Sequence, residues 1–342
     1  MTSPPLTSEP TSVVPFNTPT RTVLLGRGAF VLSIDTELMW GSFHRMSASE
    51  FEARNGRLRE VITLILAMLD RYSVAVTWAL VGHLLLDTCI RGQDGRAHPD
   101  LARPNYAWYP HDWYRQDPCT DLATDPLWYG ADVVEMIRSA RTQHEIGSHS
   151  FGHLVFGDPG CSTEAAHDDL EAWSAAARDR GISGQSFAFP RNRIGYLDLL
   201  AAAGFRCYRG YRMPASQSLS HRAPDAIRDV LGLPANPSRP AVTASGLVEI
   251  PGSMPFLVPS GRLRRWVSVR ARVAKAKGGI KRAAHQRAVF HLWFHPMDMA
   301  EDRDARLGGL EAILSEVARL RQAGDLEPLT MGALAARYLD GP

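Results

Sequence analysis

At 342 residues, with 45% hydrophobic and 22% charged residues, the chain has the composition of a globular protein that can bury a sizeable core. A formal net charge of +2 and this apolar content exclude the strongly charged, intrinsically disordered class. The four cysteines are widely spaced and form no Cys-x-x-Cys pair, so neither a disulfide framework nor a cysteine zinc site is predicted. We interpret them as reduced thiols: Cys89, Cys119, Cys161 and Cys207.

The first 26 residues are rich in Ser, Thr and Pro, and we expect them to form a disordered tail without catalytic chemistry. They have neither the basic nor the apolar region of a signal peptide. No later stretch has the roughly 18 uninterrupted apolar residues of a transmembrane helix. We therefore expect a cytoplasmic protein, with membrane association left open.

From residue 28 onward, strand-like and helix-like patterns alternate. Short apolar runs predict strands at 28–34, 75–82, 144–148, 186–192, 205–209, 247–251, 290–296 and 326–329. Apolar stripes at helical spacing predict helices at 53–71, 132–141, 163–180, 195–203, 304–322 and 331–339. Because polar residues follow several strands, residues 27–342 are predicted to form one α/β domain, a deformed (β/α)7-8 barrel with its site at the carboxyl ends of the strands.

Two ranges interrupt the alternation, at about 89–130 and 212–288. The first is crowded with aromatic residues, and we expect either sugar-binding ring faces or a packed lid. The ring residues are Tyr106, Trp108, Tyr109, Trp113, Tyr114, Trp128 and Tyr129.

The second range contains a basic helix. Residues 262–287 carry ten Lys or Arg and no acid, and the pair Gly278-Gly279 is expected to break the helix. The bases could form a solvated face, or bind an anionic partner such as a phosphorylated sugar, or a lipid-linked saccharide at an acidic membrane surface. No motif for nucleic-acid recognition accompanies the charge.

Candidate site residues come from separate strands. Asp35 and Glu37 follow the first strand, where residues two apart face the same side. His149 and His153 follow the third predicted strand, and a helical turn there would let both bind one metal ion. Taken alone, each pair has an ordinary structural interpretation, such as the opening of a surface loop.

In sequence order, six motifs resemble those of the polysaccharide deacetylase family, carbohydrate esterase family 4, also called the NodB homology domain. The resemblance covers about residues 28–335. The motifs are Asp35-Thr36-Glu37, Thr77–Gly82, His149-Ser150-Phe151-Gly152-His153, Phe189-Pro190-Arg191-Asn192, Val248–Pro251 and His291–Pro296.

The resemblance implies roles for the residues at matching positions. Asp35 would be the catalytic base, while Glu37, His149 and His153 would bind one divalent metal ion, zinc first and cobalt, manganese or nickel as alternatives. Glu37 stands where family members more often have Asp, so which of the two carboxylates binds the metal stays open.

Two further roles follow from the resemblance. His295 would be the general acid, and Arg191 would hold the base charged and in position. The motif around Arg191 reads Pro-Arg-Asn rather than Arg-x-Pro, so Arg191 is expected to approach the base at a different angle.

The residues alone support the same chemistry. A metal held by two imidazoles and one carboxylate polarises an amide carbonyl, a free carboxylate accepts a proton from water, and a histidine protonates the leaving amine. We expect removal of an N-acetyl group from an amino sugar, on a nucleotide-linked, lipid-linked or small-molecule glycoside. The alternatives are hydrolysis of another C–N bond, in a cyclic imide or formamide, and a non-catalytic carbohydrate-binding relative.

Four other ionisable residues are expected to be structural. His144 and His291 lie at strand starts, away from the predicted site. Glu145 and Glu249 are interpreted as buried hydrogen-bond partners. The sequence does not specify the oligomeric state.

Overall fold

The computed structural model describes residues 25–211, 232–257 and 267–340. Nearly all of the predicted N-terminal tail therefore lies outside the described residues, as do 212–231 and 258–266 of the second predicted insertion. Among the helices of the described ranges, none combines the length and the apolar character needed to cross a membrane.

The described strands belong to one sheet, and most of them match the sequence prediction. They are β1 (Gly28–Thr36), β2 (Thr77–Leu80), β3 (Glu145–Ser148), β4 (Ser186–Phe187), β5 (Cys207–Gly210), β6 (Ala241–Val242), β7 (Val248–Pro251), β8 (Met254–Pro255), β9 (Val289–Phe294) and β10 (Leu326–Leu329).

The helices follow the strands in alternation. They are α1 (Ala48–Asn55), α2 (Leu58–Tyr72), α3 (Ala131–Arg138), α4 (Thr163–Asp179), α5 (Leu197–Ala202), α6 (Val269–Gln286), α7 (Arg303–Gln322) and α8 (Met331–Leu339). The single helix predicted at 53–71 is two helices, because the chain turns at Gly56 and Arg57 between α1 and α2.

The sheet curls into the predicted deformed barrel. Its order is β6-β7-β5-β4-β3-β2-β1-β9-β8, with β10 beside the first half of β1. β7 and β8 are consecutive in the chain, yet β7 pairs with β5 and β8 pairs with β9. Between them, the Gly252 amide bonds to Gly210 (2.8 Å) and the Ser253 amide to His291 (2.8 Å). One segment, 248–255, thus joins the two ends of the sheet.

This joining segment lies inside the range predicted as the second insertion. In the described part of 212–288, β7 and β8 are barrel strands, and α6 packs against β1, β9 and α7. These elements are therefore part of the barrel and not additions to it.

Helix α6 continues through Gly278 and Gly279, so the predicted break is wrong. A Cβ at Gly279 would lie 2.2 Å from the ring of Phe290, and one at Gly278 would lie 2.7 Å from Pro234. Gly279 lets the helix approach β9 closely and Gly278 lets it approach Pro234, and this packing outweighs their low helix propensity.

Part of the positive charge of α6 faces other protein groups. Glu316 of α7 lies 3.9 Å from Lys277, 3.9 Å from Lys281 and 2.7 Å from Arg319. Arg272 is 8% exposed, so not all the bases of α6 belong to a solvated face. Among the described residues, these contacts indicate that the bases of α6 serve packing and a solvated face, and not a surface that attracts anions strongly.

The aromatic insertion between β2 and α3 is mainly a packed wall. Six of the seven predicted ring residues are buried, and Trp108, at 39% exposure, is the exception. Trp108 stacks on Tyr106 with ring centroids 4.9 Å apart. The expectation of several exposed sugar-binding faces is therefore wrong, because the rings are used for the core.

Candidate active site

The carboxyl ends of the parallel strands bring the predicted site residues together. Asp35 ends β1 and Glu37 follows it, while His149 and His153 follow β3 and His295 follows β9. The Nε2 atom of His295 lies 3.8 Å from Asp35 Oδ2 and 3.4 Å from Glu37 Oε1. Residues from three strand ends thus face one small, largely buried space.

Glu37, His149 and His153 form a compact set of possible metal ligands. Glu37 Oε1 lies 3.0 Å from His149 Nε2 and 3.1 Å from His153 Nε2, and all three side chains are buried. Glu37 fits because residue 41 is glycine: a Cβ there would lie 1.7 Å from Glu37 Oε2. Burial raises the pKa of Glu37, but the imidazoles of His295, His153 and His149 outweigh burial and hold that pKa well below its usual range.

The donor set fits a metal ion on chemical grounds. His149 Nδ1 lies 2.7 Å from the carbonyl oxygen of Ala188, so Nδ1 carries the proton and donates it. In the neutral ring, Nε2 then has a lone pair, which points at a carboxylate oxygen. A proton or a metal ion therefore lies between Nε2 and the Glu37 oxygen, which are 3.0 Å apart, and a divalent metal is the group that two imidazoles and one carboxylate usually bind.

The two histidines converge through an irregular loop and not through the expected helical turn. Ser150 and His153 have positive φ values of 68° and 59°. Asp169 of α4 holds this loop, because its carboxylate accepts hydrogen bonds from Ser150 Oγ and from the amides of Phe151 and Gly152, each at 2.9 Å. Burial raises the pKa of Asp169 to about 6, although these three donors oppose the rise.

Asp35 is held by Arg209 and not by Arg191. The Arg209 guanidinium donates two hydrogen bonds of 2.6 Å, one to each carboxylate oxygen of Asp35, and both side chains are buried. Burial raises the pKa of Asp35, but Arg209, with smaller contributions from His149 and His295, outweighs burial and lowers that pKa. Asp35 is therefore a carboxylate at neutral pH.

The predicted contact between Arg191 and the base is wrong. Arg191 lies in a 3₁₀ turn with a positive φ of 54°, which directs its side chain to His44 and over the ring of Trp108, 4.0 Å from the centroid. Its neighbour Asn192 contacts Arg209 and not Asp35, accepting a hydrogen bond of 3.1 Å from Arg209 Nη2. The motif therefore supports the base through Asn192.

His295 is oriented by Asp298. Its Nδ1 lies 3.0 Å from Asp298 Oδ2, which leaves Nε2 facing the two site carboxylates. Burial lowers the pKa of His295, but the Glu37 and Asp298 carboxylates outweigh burial and raise that pKa well above its usual value. The side chain is 25% exposed, so the protonated ring can be reached by a substrate.

The residues interpreted as structural make structural contacts. His291 Nε2 bonds to Ser33 Oγ at 2.9 Å, and burial, with Arg209 nearby, lowers its pKa to about 3. The Glu145 carboxylate accepts hydrogen bonds from Thr77 Oγ1 (2.7 Å) and from the amide of Gly332 (3.0 Å).

Sequence reasoning missed three residues that build the site: Arg209, Asn192 and Asp169. Arg209 lies near the end of a predicted strand, the position that drew attention to Asp35 and His295. Asp169 interrupts the apolar face of α4 beside Leu170, and a buried acid on such a face needs hydrogen-bond donors.

Replacing Asp169 with alanine is expected to lower the free energy of unfolding by about 1–3 kcal/mol, because buried donors lose their acceptor. Metal affinity should fall by about 10–100-fold, since the loop that carries His149 and His153 loses its support. Urea unfolding and metal titration measure the two effects. Asp168→Ala is the control, because Asp168, its neighbour on α4, bonds to the amide of Ala102 and not to the loop. Unchanged metal affinity in Asp169→Ala would contradict the supporting role.

The geometry described above is that of an α/β barrel with a candidate metal centre at the carboxyl ends of its strands. No family model matches the sequence, and no curated protein matches it. Solved structures do match. A protein from Mycobacterium smegmatis, described as a candidate polysaccharide deacetylase, is 17% identical, with 95% of each chain covered and a TM-score of 0.62.

Two further structures are similar over nearly their whole length. A candidate polysaccharide deacetylase from Pseudomonas aeruginosa PAO1 is 12% identical, with a TM-score of 0.51 and coverage of 92% of this chain and 91% of that one. Puue allantoinase is 11% identical, with a TM-score of 0.55 and coverage of 98% and 100%. The chain therefore has the polysaccharide deacetylase fold that its motifs predict.

Proposed function

We propose that the protein is a metal-dependent amidohydrolase that removes an N-acetyl group from an amino sugar. One observation carries this proposal: Asp35, a carboxylate paired with Arg209, lies beside a three-residue metal-ligand set and beside His295, whose Nε2 atom faces both carboxylates. Hydrolysis of an amide needs these three functions, a base, a Lewis acid and an acid, within reach of one carbonyl group.

Glu37, His149 and His153 are the residues that would hold the metal, with zinc first among the candidates. When bound, such an ion polarises the amide carbonyl and lowers the pKa of a water ligand toward about 7. The chain supplies the remaining functions through Asp35 and His295.

Asp35 acts as the general base in this proposal. Its charged form accepts the proton of the attacking water, and Arg209 keeps the carboxylate in place during the transfer. His295 acts as the general acid: Asp298 fixes the ring, and the Nε2–H group gives its proton to the leaving amine. The two proton transfers occur on neighbouring groups 3.8 Å apart.

The substrate we propose is an N-acetylated sugar on a small or activated carrier, such as a nucleotide-linked or lipid-linked intermediate. Arg191, Trp108 and His44 form a cluster beside Glu37 and His153, in which Arg191 supplies a cation for a phosphate carried by the sugar. The contacts of Lys277 and Lys281 with Glu316 weaken the case for α6 as the phosphate-binding or membrane-contacting surface.

A second candidate is hydrolysis of a cyclic C–N bond. The similarity to Puue allantoinase over 98% of this chain favours it, together with Glu37 at the position where the family more often has Asp. The same base, metal ligands and acid would serve that reaction, so the substrate and not the mechanism separates the two candidates.

Release of acetate from a panel of N-acetyl sugars, with allantoin as a parallel substrate, tests the proposal. Asp35→Asn is expected to lower kcat by about 10²–10⁴-fold because the general base is lost. Asp304→Asn is the control, because that side chain is 92% exposed at the start of α7. Full activity in Asp35→Asn would mean that the base is misassigned. Hydrolysis of allantoin without acetate release would favour the second candidate.

A further inference from the structure

A second cluster of metal-binding side chains lies in the aromatic insertion, outside the catalytic set. His83 belongs to the 3₁₀ turn Gly82–Leu85 that follows β2, and Cys89, His98 and Asp117 come from the irregular chain after it. One ligand atom from each of the four residues lies within 4.8 Å of all the others. Two imidazoles, a thiol and a carboxylate thus converge from four separate points of the chain.

Asp117 is the centre of this cluster. Its Oδ2 atom lies 3.0 Å from His83 Nε2, 2.8 Å from His98 Nε2 and 3.5 Å from Cys89 Sγ. His83 and Asp117 are buried at 0% and 1% exposure, and Cys89 is 9% exposed. These separations are close to those between neighbouring ligands around one small cation.

The buried Nε2 atom of His83 points to a ligand that binds there. His83 Nδ1 lies 3.3 Å from the carbonyl oxygen of Trp128 and donates to it, so Nε2 carries the lone pair of the neutral ring. Nε2 is buried and has no hydrogen-bond partner in the described chain, although it faces the Asp117 carboxylate. Nε2 lies 3.0 Å from Asp117 Oδ2 without the geometry of a hydrogen bond, and a metal ion bound by both atoms would satisfy them.

We propose that His83, Cys89, His98 and Asp117 bind a second, structural zinc-like ion. The donor set of two imidazole nitrogens, one thiolate and one carboxylate suits zinc, and is too soft for magnesium or calcium. Four protein ligands complete a tetrahedral shell, which is the composition of a structural site and not of a catalytic one. The interpretation of Cys89 as an ordinary reduced thiol changes accordingly.

The position of the cluster indicates what the ion stabilises. The amides of Gly82 and His83 donate to the carbonyls of Ser150 (2.8 Å) and Phe151 (3.0 Å), within the loop that connects His149 and His153. The Phe151 ring contacts both His83 and His98. The ion therefore ties the insertion to the back of the catalytic loop, and the site exists whether or not the proposed reaction is right.

Cobalt substitution of the full-length protein tests this site separately from the first one. A thiolate ligand gives a near-ultraviolet sulfur-to-cobalt charge-transfer band, and the Glu37, His149 and His153 set contains no sulfur. We expect two cobalt ions per chain and this band in the wild-type protein. His149→Ala should lose one ion and keep the band, while Cys89→Ala and His98→Gln should lose the other ion, with affinity at that site lowered by more than about 10–100-fold.

Other thiol variants provide the controls. Cys161→Ala should keep the band, because Cys161 does not belong to the cluster. Cys119→Ala should also keep it, because the Cys119 thiol interacts with Cys89 and Asp117 but is not one of the four ligands. A band lost in Cys119→Ala and kept in Cys89→Ala would overturn the ligand assignment. One cobalt ion per chain with no band in the wild-type protein would overturn the site itself. If Cys89→Ala fails to fold, His98→Gln, at an 11% exposed side chain, gives the same information.

Discussion

Replacing Arg209 with methionine is expected to lower the free energy of unfolding by about 3–5 kcal/mol, because Asp35 then stays buried without its charged partner. Methionine preserves much of the volume, including contact with Trp293, whose ring centroid lies 4.6 Å from the guanidinium carbon of Arg209. The loss of stability therefore measures the removal of the charge pair and not the formation of a cavity. Urea unfolding with the wild-type and variant proteins measures it.

Activity should fall with stability in this variant. Without Arg209, only His149 and His295 oppose the effect of burial on the pKa of Asp35. That pKa therefore rises, and a larger fraction of the base is protonated. We expect kcat to fall by at least about 10²-fold, the lower end of the usual contribution of a general base. The ratio of kcat at high pH to kcat at neutral pH should rise relative to the wild-type protein.

Arg191→Met is the matched control for this experiment. Arg191 contacts Trp108 and His44 and does not contact Asp35, so its loss should cost less than about 1 kcal/mol and should change KM more than kcat. The double variant Asp35→Asn/Arg209→Met should recover part of the stability that Arg209→Met loses, because no uncompensated carboxylate remains. Equal losses in Arg191→Met and Arg209→Met would contradict the assignment of Arg209.

Sequence periodicity was sufficient to predict the barrel, because most strands and most helices give local patterns in the sequence. The apolar run before Asp35 and the stripe of α2 specify a buried strand and an amphipathic helix without knowledge of their partners. The motifs also predicted correctly that Glu37, His149, His153 and His295 meet, since carboxyl ends of parallel strands lie at one edge of the sheet.

Contacts between distant side chains were not predictable in the same way. Arg191 has a positive φ, which no local pattern indicates, and Arg209 reaches Asp35 from β5, a strand far from it in the sequence. The break expected at Gly278-Gly279 was wrong because close packing on Phe290 decides the conformation there. The cluster around Asp117 was missed because its four members are separated by irregular chain with no regular ligand spacing.

The structure also separates the two carboxylates whose roles the sequence left open. Both oxygens of Asp35 accept hydrogen bonds from Arg209, and the pair is buried, so the charge of Asp35 is already balanced by the guanidinium. Oε1 of Glu37 already faces both His149 and His153. Glu37 follows the last residue of β1, and its side chain, one methylene longer than that of Asp, reaches the two imidazoles from there. The space left by the missing side chain of Gly41 accommodates Oε2 of Glu37.

Metal content should therefore distinguish Glu37 from Asp35. Glu37→Gln is expected to lower metal affinity at the catalytic set by more than about 100-fold, since removing a ligand should cost more than the 10–100-fold typical of an outer-shell change. Asp35→Asn should keep its metal, although it loses activity. His149→Ala and His153→Ala should behave like Glu37→Gln.

Equilibrium dialysis against zinc, followed by elemental analysis, measures these affinities, and the cobalt charge-transfer band shows whether the Cys89 cluster stays loaded in each variant. The Asp35→Asn variant is the decisive one, because the sequence allows either carboxylate to be the ligand and the charge pair of Asp35 with Arg209 favours Glu37. If Asp35→Asn loses the metal and Glu37→Gln keeps it, the pair with Arg209 must open when metal binds, and Glu37 would then be the base.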